Sequence, residues 1–222
     1  MAVSVIIPAL NEASCIAIAI DAAFLSGAAE VIVADGGSVD DTIAIAQTHG
    51  ARVITGERLR AAQINQGIAA ATHDRIVIVH ADTLLPFGAA AAIEEALRNG
   101  AHFGGFRVAF LEGGLRLAWV AFAINLRTRL TRKPWGDQAQ FARRDTLLRA
   151  GGYPHFPIME DYELARRMKR EGDVAFLPLA VRTSGRRFLK HGVFRTAMIN
   201  WWIIAAYHLG IAPERLAKWY RG

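Results

Sequence analysis

The sequence predicts a single α/β domain in which a mostly parallel central sheet is flanked by helices. Short runs that are apolar on both faces alternate with helical segments through the first hundred residues, which is the pattern of a parallel sheet. The chain has 222 residues, of which 53% are hydrophobic and 21% charged, as expected for a globular protein with one large core. The second half breaks the alternation, so we expect a mixed, helix-rich C-terminal part.

The first half contains the elements of a parallel sheet. We predict strands at 3–7, 31–34, 52–55 and 75–80, and helices at 13–25, 42–49 and 59–71. Right-handed crossovers place the carboxyl ends of such strands along one edge, where ligands of these folds bind.

The second half contains fewer and less regular strands. Its predicted helices are 86–98, 115–130, 162–170, a long one near 190–210, and 213–219. Residues 102–110 alternate like an antiparallel strand, and 138–143 is also strand-like.

Charge and cysteine content limit the classes of function. Residues 1–110 carry 6 basic and 11 acidic side chains, whereas residues 111–222 carry 20 and 9, so the second half has a net charge of +11. That half could face phosphates, an anionic membrane or nucleic acid, but no nucleic-acid-binding motif is present. The single cysteine, Cys15, can form neither an intrachain disulfide nor a cysteine-based metal site. With no signal peptide recognised, we expect a cytoplasmic protein, with the inner face of the membrane as the alternative location.

The common phosphate-binding loops are missing from the sequence. Neither G-x-G-x-x-G nor G-x-x-x-x-G-K-[ST] follows a strand. Acidic residues occupy the predicted strand ends instead, namely Glu12, Asp35 and Asp82. A carboxylate there can accept hydrogen bonds from ribose hydroxyls, or hold a divalent ion that neutralises a diphosphate.

Four motifs in order resemble the family 2 glycosyltransferases, which have the GT-A fold. They are VSVIIPALNE at 3–12, VADGGSVDDT at 33–42, HADT at 80–83 and EDYEL at 160–164. The segments at 136–141 and 184–188 are similar to a small bacterial, single-domain branch of that family. The resemblance implies an inverting, metal-assisted transfer from a nucleotide-diphosphate sugar, with a UDP-sugar as the expected donor. It divides the domain into a nucleotide-binding half (1–110), an acceptor and catalytic half (111–190) and C-terminal helices (191–222).

The resemblance also implies roles for individual residues. Asp161 would be the general base, and Asp82, the last acid of a D-x-D motif, would ligate Mn²⁺ or Mg²⁺. His80 replaces the first acid of that motif, so it would either join the metal or pack beside the nucleotide. The nucleotide pocket would contain Pro8, Ala9, Asn11, Glu12, Asp35, Arg60 and Ala81. Phosphate or acceptor contacts are expected from Asp137, Gln138, Glu160, Arg186 and Arg187.

Simpler structural roles compete with these expectations. Asp161 and Asp82 could each cap a helix, and Asp35 could stabilise its turn. Arg60 could be solvent-exposed. His191 is a weaker candidate for a third metal ligand.

Two alternatives to this enzyme remain open at the sequence level. One is a nucleotidyltransferase, and the other is a degenerate nucleotide-sugar-binding protein, which the replacement by His80 suggests. Multiple membrane spans and a complete Q-x-x-R-W motif are missing, so processive synthesis is not expected.

Two amphipathic segments rich in aromatic residues allow more than one kind of partner and acceptor. They are 115–130, followed by several basic residues, and 193–211, which contains Trp201 and Trp202. They could pack on the sheet or in a homodimer interface, or they could bring the protein to a membrane surface and a lipid-linked or cell-envelope acceptor.

Overall fold

An eight-stranded sheet forms the centre of the structure, a computed structural model that describes residues 2–221. The strands are β1 (Val3–Ala9), β2 (Glu30–Asp35), β3 (Arg52–Thr55), β4 (Arg75–Ile78), β5 (Thr83–Leu84), β6 (Phe103–Phe110), β7 (Phe141–Arg143) and β8 (Val174–Thr183). Their order across the sheet is β3-β2-β1-β4-β7-β6-β8-β5. Strands β3, β2, β1 and β4 are parallel, β7 is antiparallel to both of its neighbours, and β5 is antiparallel to β8. The predicted α/β class is confirmed.

Helices cover both faces of this sheet. They are α1 (Ile16–Leu25), α2 (Thr42–Thr48), α3 (Arg60–Ala70), α4 (Ala89–Arg98), α5 (Leu115–Thr131), α6 (Arg144–Arg149), α7 (Glu160–Glu171), α8 (Arg186–His191), α9 (Val193–His208) and α10 (Pro213–Arg221). Successive side chains of β1 enter two different cores: Val5 and Ile7 pack in one and Ile6 in the other. This double burial explains why the strands read as continuous apolar runs.

Strand β8 was not predicted and is the largest difference from the sequence-based assignment. Pro178 interrupts its apolar pattern, and a proline argues against an interior strand. The structure accommodates it at an irregularity, where the register between β6 and β8 shifts after Phe106 and Leu177. Strand β6 pairs in parallel with β8 and antiparallel with β7. The predicted antiparallel pairing is therefore found on only one of its two sides.

Several predicted boundaries also change. The predicted strand 138–143 is reduced to β7, and a short 3-10 helix occupies Gly136–Gln138. The predicted long helix near 190–210 is two helices, because Gly192 between them has φ +84°, which a continuous helix does not allow. Within residues 2–221, no helix has both the length and the hydropathy needed to cross a bilayer.

Candidate active site

The carboxyl ends of β1, β2 and β4 lie side by side at one edge of the sheet. Ala9 at the end of β1 is in register with Asp35 at the end of β2. On the other side of β1, the chain leaves β4 through Val79, whose amide donates to the carbonyl of Ile6 (2.9 Å), and continues to His80. The parallel arrangement therefore brings together the segments that carry the motifs.

Asp35 holds the turn that follows β2. Its side chain is fully buried, and its Oδ2 accepts hydrogen bonds from the amides of Gly37 and Ser38, both at 2.8 Å. Its Oδ1 accepts a hydrogen bond from the Ser38 hydroxyl. A carboxylate offers about four acceptor positions, so three are used within the protein. Asp35 therefore stabilises its turn, which is the structural role that we weighed against nucleotide contact.

The loops after β1 and β2 are tied to each other through Asn11. Its backbone amide donates to Ser38 Oγ at 2.8 Å, and its Oδ1 accepts from the Val39 amide at 2.9 Å. Asn11 has φ +55°, a left-handed conformation that asparagine tolerates better than most residues. Glu12 beside it is half-buried, and its carboxylate lies 3.9 Å from the Arg186 guanidinium.

Three residues expected in the nucleotide pocket lie beneath the surface. Pro8, Ala9 and Ala81 have buried side chains, and the Ala9 carbonyl accepts hydrogen bonds from the amide of Gly36 (2.9 Å) and Nε2 of Gln63 (2.7 Å). Contact between these three residues and a nucleotide stays a prediction, which the burial of their side chains does not test. They support the strand ends from below, because small or ring-closed side chains at these positions pack into the core.

A cavity of about 460 Å³ contains many of the other predicted residues. Its polar lining comes from strand ends, loops and helices far apart in the sequence. These polar residues include Arg60, His80, Asp82, Arg127, Asp137, Asp161, Thr183, Ser184 and Arg187. Asn11, Glu12, Asp35 and Arg186 are not part of this lining.

Asp161 is held at the cavity wall by backbone hydrogen bonds. It lies in the first turn of α7, where its Oδ1 accepts from the amide of Tyr162 (2.7 Å) and its Oδ2 from the amide of Gly136 (2.6 Å). Gly136 is needed for this approach: a Cβ there would lie 2.8 Å from Asp161 Oδ2 and 3.0 Å from His80 Nε2. The same values show that Asp161 and His80 converge on one point of the loop before β7.

His80 and Asp82 are the candidate metal ligands. Burial and the positive charge of Arg60 lower the pKa of His80 to about 4, so the imidazole is neutral at pH 7, the form that can bind a metal. Asp82 forms an ion pair with Arg186 (Nη2 to Oδ2, 3.1 Å). No group of three or more His, Cys, Asp or Glu side chains is placed to hold a metal ion within residues 2–221. His191 is exposed and is not among the cavity-lining residues.

Two protein donors nevertheless fit one kind of metal site. Mg²⁺ and Mn²⁺ at nucleotide sites are often held by one or two side chains, with phosphate oxygens and water completing the shell. An imidazole beside a carboxylate suits Mn²⁺ better than Mg²⁺. The donor set therefore fits an ion that binds together with a diphosphate.

Asp137 and Gln138 are neighbours with different environments. Burial raises the pKa of Asp137, Arg127 opposes this effect, and the charge of Asp161 adds to it. Asp137 Oδ1 is buried and has no hydrogen-bond partner within the described chain. Gln138 is fully buried, and its amide is occupied by Thr128 (2.7 Å), Arg127 and backbone groups, so its expected substrate contact is corrected to a structural role.

The predicted arginines occupy three different positions. Arg60 lines the cavity and forms an ion pair with Glu160, a buried carboxylate whose pKa is raised by burial against the pull of Arg60. Glu160 therefore supports Arg60 and is not among the cavity-lining residues. Arg187 lies in the cavity wall with its guanidinium 3.5 Å from the ring centroid of Tyr220, whereas Arg186 lies outside against Asp82.

Sequence reasoning missed Arg127, which reaches the cavity from α5. Its guanidinium stacks 3.4 Å from the ring centroid of Trp135 and donates to Gln138 Oε1 at 2.9 Å. Burial lowers its pKa to about 10, so Arg127 remains charged at pH 7. In the sequence it is one of several arginines on an amphipathic helix, and no local signal separates it from the exposed ones.

Comparisons with known proteins agree with this geometry. The family model described as "Glycosyl transferase family 2" matches residues 4–153. Proteins named as uncharacterised glycosyltransferases in Mycobacterium tuberculosis and Mycobacterium bovis are 33% identical over 168 residues, covering 69% of this chain and 75% of theirs.

Solved structures show the same fold. Glucosyl-3-phosphoglycerate synthase from M. tuberculosis, in complex with Mn²⁺, uridine diphosphate and glucosyl-3-phosphoglycerate, is 24% identical with a TM-score of 0.56, covering 81% of this chain and 70% of that one. S. aureus TarS is 15% identical with a TM-score of 0.66, covering 83% and 37%. The GT-A fold that the motifs predicted is confirmed.

Proposed function

The chain belongs to glycosyl transferase family 2 and is a glycosyltransferase, and on this premise we propose that it transfers a sugar from a UDP-sugar with inversion at the anomeric carbon. Because the chain belongs to this family of enzymes, we no longer consider the two alternatives that the sequence left open, a nucleotidyltransferase and a degenerate nucleotide-sugar-binding protein. Support for UDP comes from the solved relatives of similar fold, whose descriptions include UDP, UDP-glucose and Mn²⁺.

The observation that carries the proposal is the position of Asp161. Its carboxylate faces a cavity whose wall also contains the candidate metal ligands, so an acceptor hydroxyl can reach it beside the donor. As the acceptor oxygen forms its bond to the anomeric carbon, the hydroxyl proton passes to Asp161. The bond between that carbon and the diphosphate oxygen breaks, and the nucleoside diphosphate leaves with the electron pair. Attack from the face opposite the leaving group gives inversion.

Asp137 is suited to a different task from Asp161. Burial raises its pKa, and its Oδ1 has no hydrogen-bond partner within the described chain, so this oxygen is available for a hydrogen bond with a ligand. Asp161 instead accepts two backbone N–H bonds, which stabilise a carboxylate and fix its direction. We therefore assign proton removal to Asp161 and hydrogen bonding to the acceptor or sugar to Asp137.

Positive charge for the leaving diphosphate would come from several groups. Asp82 and His80 would hold the divalent ion, which when bound supplies electrostatic stabilisation of the phosphate oxygens. Arg186 now neutralises Asp82, and a cation bound there would compete for that carboxylate. The released guanidinium would then be free to contact the diphosphate, together with Arg187. Asn11 and Glu12 would position the nucleoside at the adjoining strand ends, beside the turn that the buried Asp35 holds.

The test is the Asp161→Asn variant, assayed for sugar transfer and for UDP binding. Asparagine keeps the size and one acceptor oxygen but cannot take the proton. We expect turnover to fall by about 10²–10⁴, with UDP affinity nearly unchanged, because general-base catalysis contributes in that range. Asp145→Asn is the matched control, since Asp145 is exposed and pairs only with groups on its own helix.

Transfer at the wild-type rate by Asp161→Asn would remove this residue from the base role. Loss of both turnover and UDP binding would point to a folding defect, which the melting temperature would reveal. Inversion is checked by the anomeric configuration of the product, measured by NMR, and a retained configuration would contradict the direct displacement.

A further inference from the structure

Helix α5 exposes an apolar stripe. Its members are spaced three or four residues apart, which places them on one side of the helix. They are Leu115, Trp119, Phe122, Leu126 and Leu130, and each is exposed. The Trp119 side chain is 64% exposed, and its ring packs edge-on against the ring of Phe122. Aromatic side chains left in water in this number need an explanation, because isolated exposed apolar residues are normal but contiguous ones are not.

Helix α9 packs against α5 and exposes a second apolar stripe. Its exposed members are Phe194, Met198, Trp201 and Trp202, and the exposed Leu209 directly follows the helix. We call the two stripes together the α5–α9 face.

The α5–α9 face adjoins the catalytic cavity. Trp201 lines the cavity and is also 65% exposed, so it stands at the cavity mouth. Apolar residues from both helices continue inward from there, and they are Val120, Ala123 and Ile124 of α5 and Ala197 and Ile204 of α9. These side chains form an apolar wall of the cavity, in which Arg127 of α5 and Thr196 and Asn200 of α9 are the polar members.

The charged side chains of the helices at this face have one sign, although Arg186 pairs with Asp82. Helices α5, α8 and α9 contain seven arginine and lysine residues and no acidic residue. The exposed ones are Arg116, Arg129, Arg186, Lys190 and Arg195. An anionic partner complements this surface, whereas a second copy related by a twofold axis would bring like charges together.

We propose that the α5–α9 face docks on the surface of an anionic lipid membrane. Exposed tryptophan and phenylalanine beside arginine and lysine is the composition of interfacial helices, in which the aromatic rings enter the headgroup layer and the cations contact anionic lipids. Docking would turn the cavity mouth towards the lipid. Given the proposed function, the acceptor is then a hydroxyl-bearing lipid that enters along the apolar wall to Asp161.

Vesicle co-sedimentation tests this surface without any assay of transfer. The probes are vesicles of phosphatidylcholine alone and of phosphatidylcholine mixed with phosphatidylglycerol. The test variant is Trp119→Ser/Phe122→Ser/Trp202→Ser, in which none of the replaced residues lines the cavity. The control Phe87→Ser/Leu148→Ser removes exposed apolar side chains elsewhere on the surface.

We expect the wild-type protein and the control to bind the anionic vesicles, and the triple variant to bind at least about tenfold more weakly. Binding should decrease with added salt, since the lysine and arginine contribution is screened. UDP binding measured on the same samples keeps the two proposals apart: a triple variant that binds UDP but not vesicles is folded and supports docking.

Three results would overturn the membrane assignment. The first is a wild-type protein that does not sediment with anionic vesicles although it binds UDP. The second is equal sedimentation of the triple variant. The third is a wild-type dimer, seen by light scattering, that becomes a monomer in the triple variant, which would assign the face to a homodimer.

Discussion

At the scale of single residues, the hydrogen bond from the Gly136 amide to Asp161 would hold the proposed base in place. The Gly136 amide fixes one carboxylate oxygen, and any side chain at this position would occupy the space of that oxygen and of the His80 ring. The local sequence Trp135-Gly136-Asp137 marks a loop, but only the folded chain shows what the glycine approaches.

The Gly136→Ala variant should lower kcat by roughly tenfold to a hundredfold, because displacements of about 1 Å at a catalytic group have effects of this size. The added methyl lies 2.8 Å from Asp161 Oδ2, so the carboxylate must move. Gly113→Ala is the control, since a Cβ there meets nothing within 4 Å. Steady-state kinetics of both variants would check this, and an unchanged kcat for Gly136→Ala would show that the position of Asp161 is not critical.

Motifs in the sequence led to positions that the structure brings together, whereas the roles of these residues stay predictions and their environments depend on the fold. His80, Asp82, Asp137 and Asp161 were all singled out, and all line one cavity. Arg127 was missed because its stack on Trp135 depends on how α5 crosses the loop before β7. The sequence also did not predict that the side-chain amide of Gln138 is occupied, because its partners Arg127 and Thr128 belong to the same helix α5.

At the scale of elements, helix α7 is stabilised by the Glu163 side chain. Although burial acts in the opposite direction, hydrogen bonds from Arg166, Tyr207 and Arg167 lower the pKa of Glu163 from 4.5 to about 2. Tyr207 belongs to α9 and bonds Glu163 at 2.8 Å, so this carboxylate also connects α7 to the C-terminal helices.

A lowered folded-state pKa means that the ionised Glu163 stabilises the protein above about pH 4.5 and loses this contribution as the pH falls towards 2. The Glu163→Gln variant should therefore be less stable than wild type at pH 7 by about 1–2 kcal/mol, with the difference shrinking below pH 4. Urea unfolding at a series of pH values measures this. A difference that stays constant from pH 7 to pH 3 would show that charge is not the cause.

The sequence predicted the elements that have a clear apolar pattern, but it did not predict strand β8, which depends on pairing with neighbouring strands. The strands that became β1 to β4 are apolar on both faces, and their positions were found to within a few residues. Strand β8 contains Pro178 and is held by β6 and β5 on its two sides, so its existence is a property of the sheet and not of its own sequence.

At the scale of the whole molecule, the charge asymmetry of the sequence has a structural counterpart. The acidic first half supplies the strand-end carboxylates, and the basic second half supplies Arg127, Arg187 and the helices around the cavity mouth. The division into a nucleotide-binding half and an acceptor half stays a prediction from the family resemblance, and the lining of the cavity comes from both halves. The position of α9 over the cavity could not be predicted, because no motif covers that helix.

The most direct test of the account is a calorimetric titration of UDP into the wild-type protein and an Asp82→Ala variant, each with Mn²⁺ and with a chelator. We predict that UDP binds the wild type at least about tenfold more tightly with Mn²⁺, and that Asp82→Ala removes this metal dependence, since Asp82 would hold the ion that supplies positive charge for the diphosphate. Equal UDP affinity with Mn²⁺ and with chelator, or full metal dependence in Asp82→Ala, would contradict the assignment of this cavity as a metal-assisted nucleotide-sugar site.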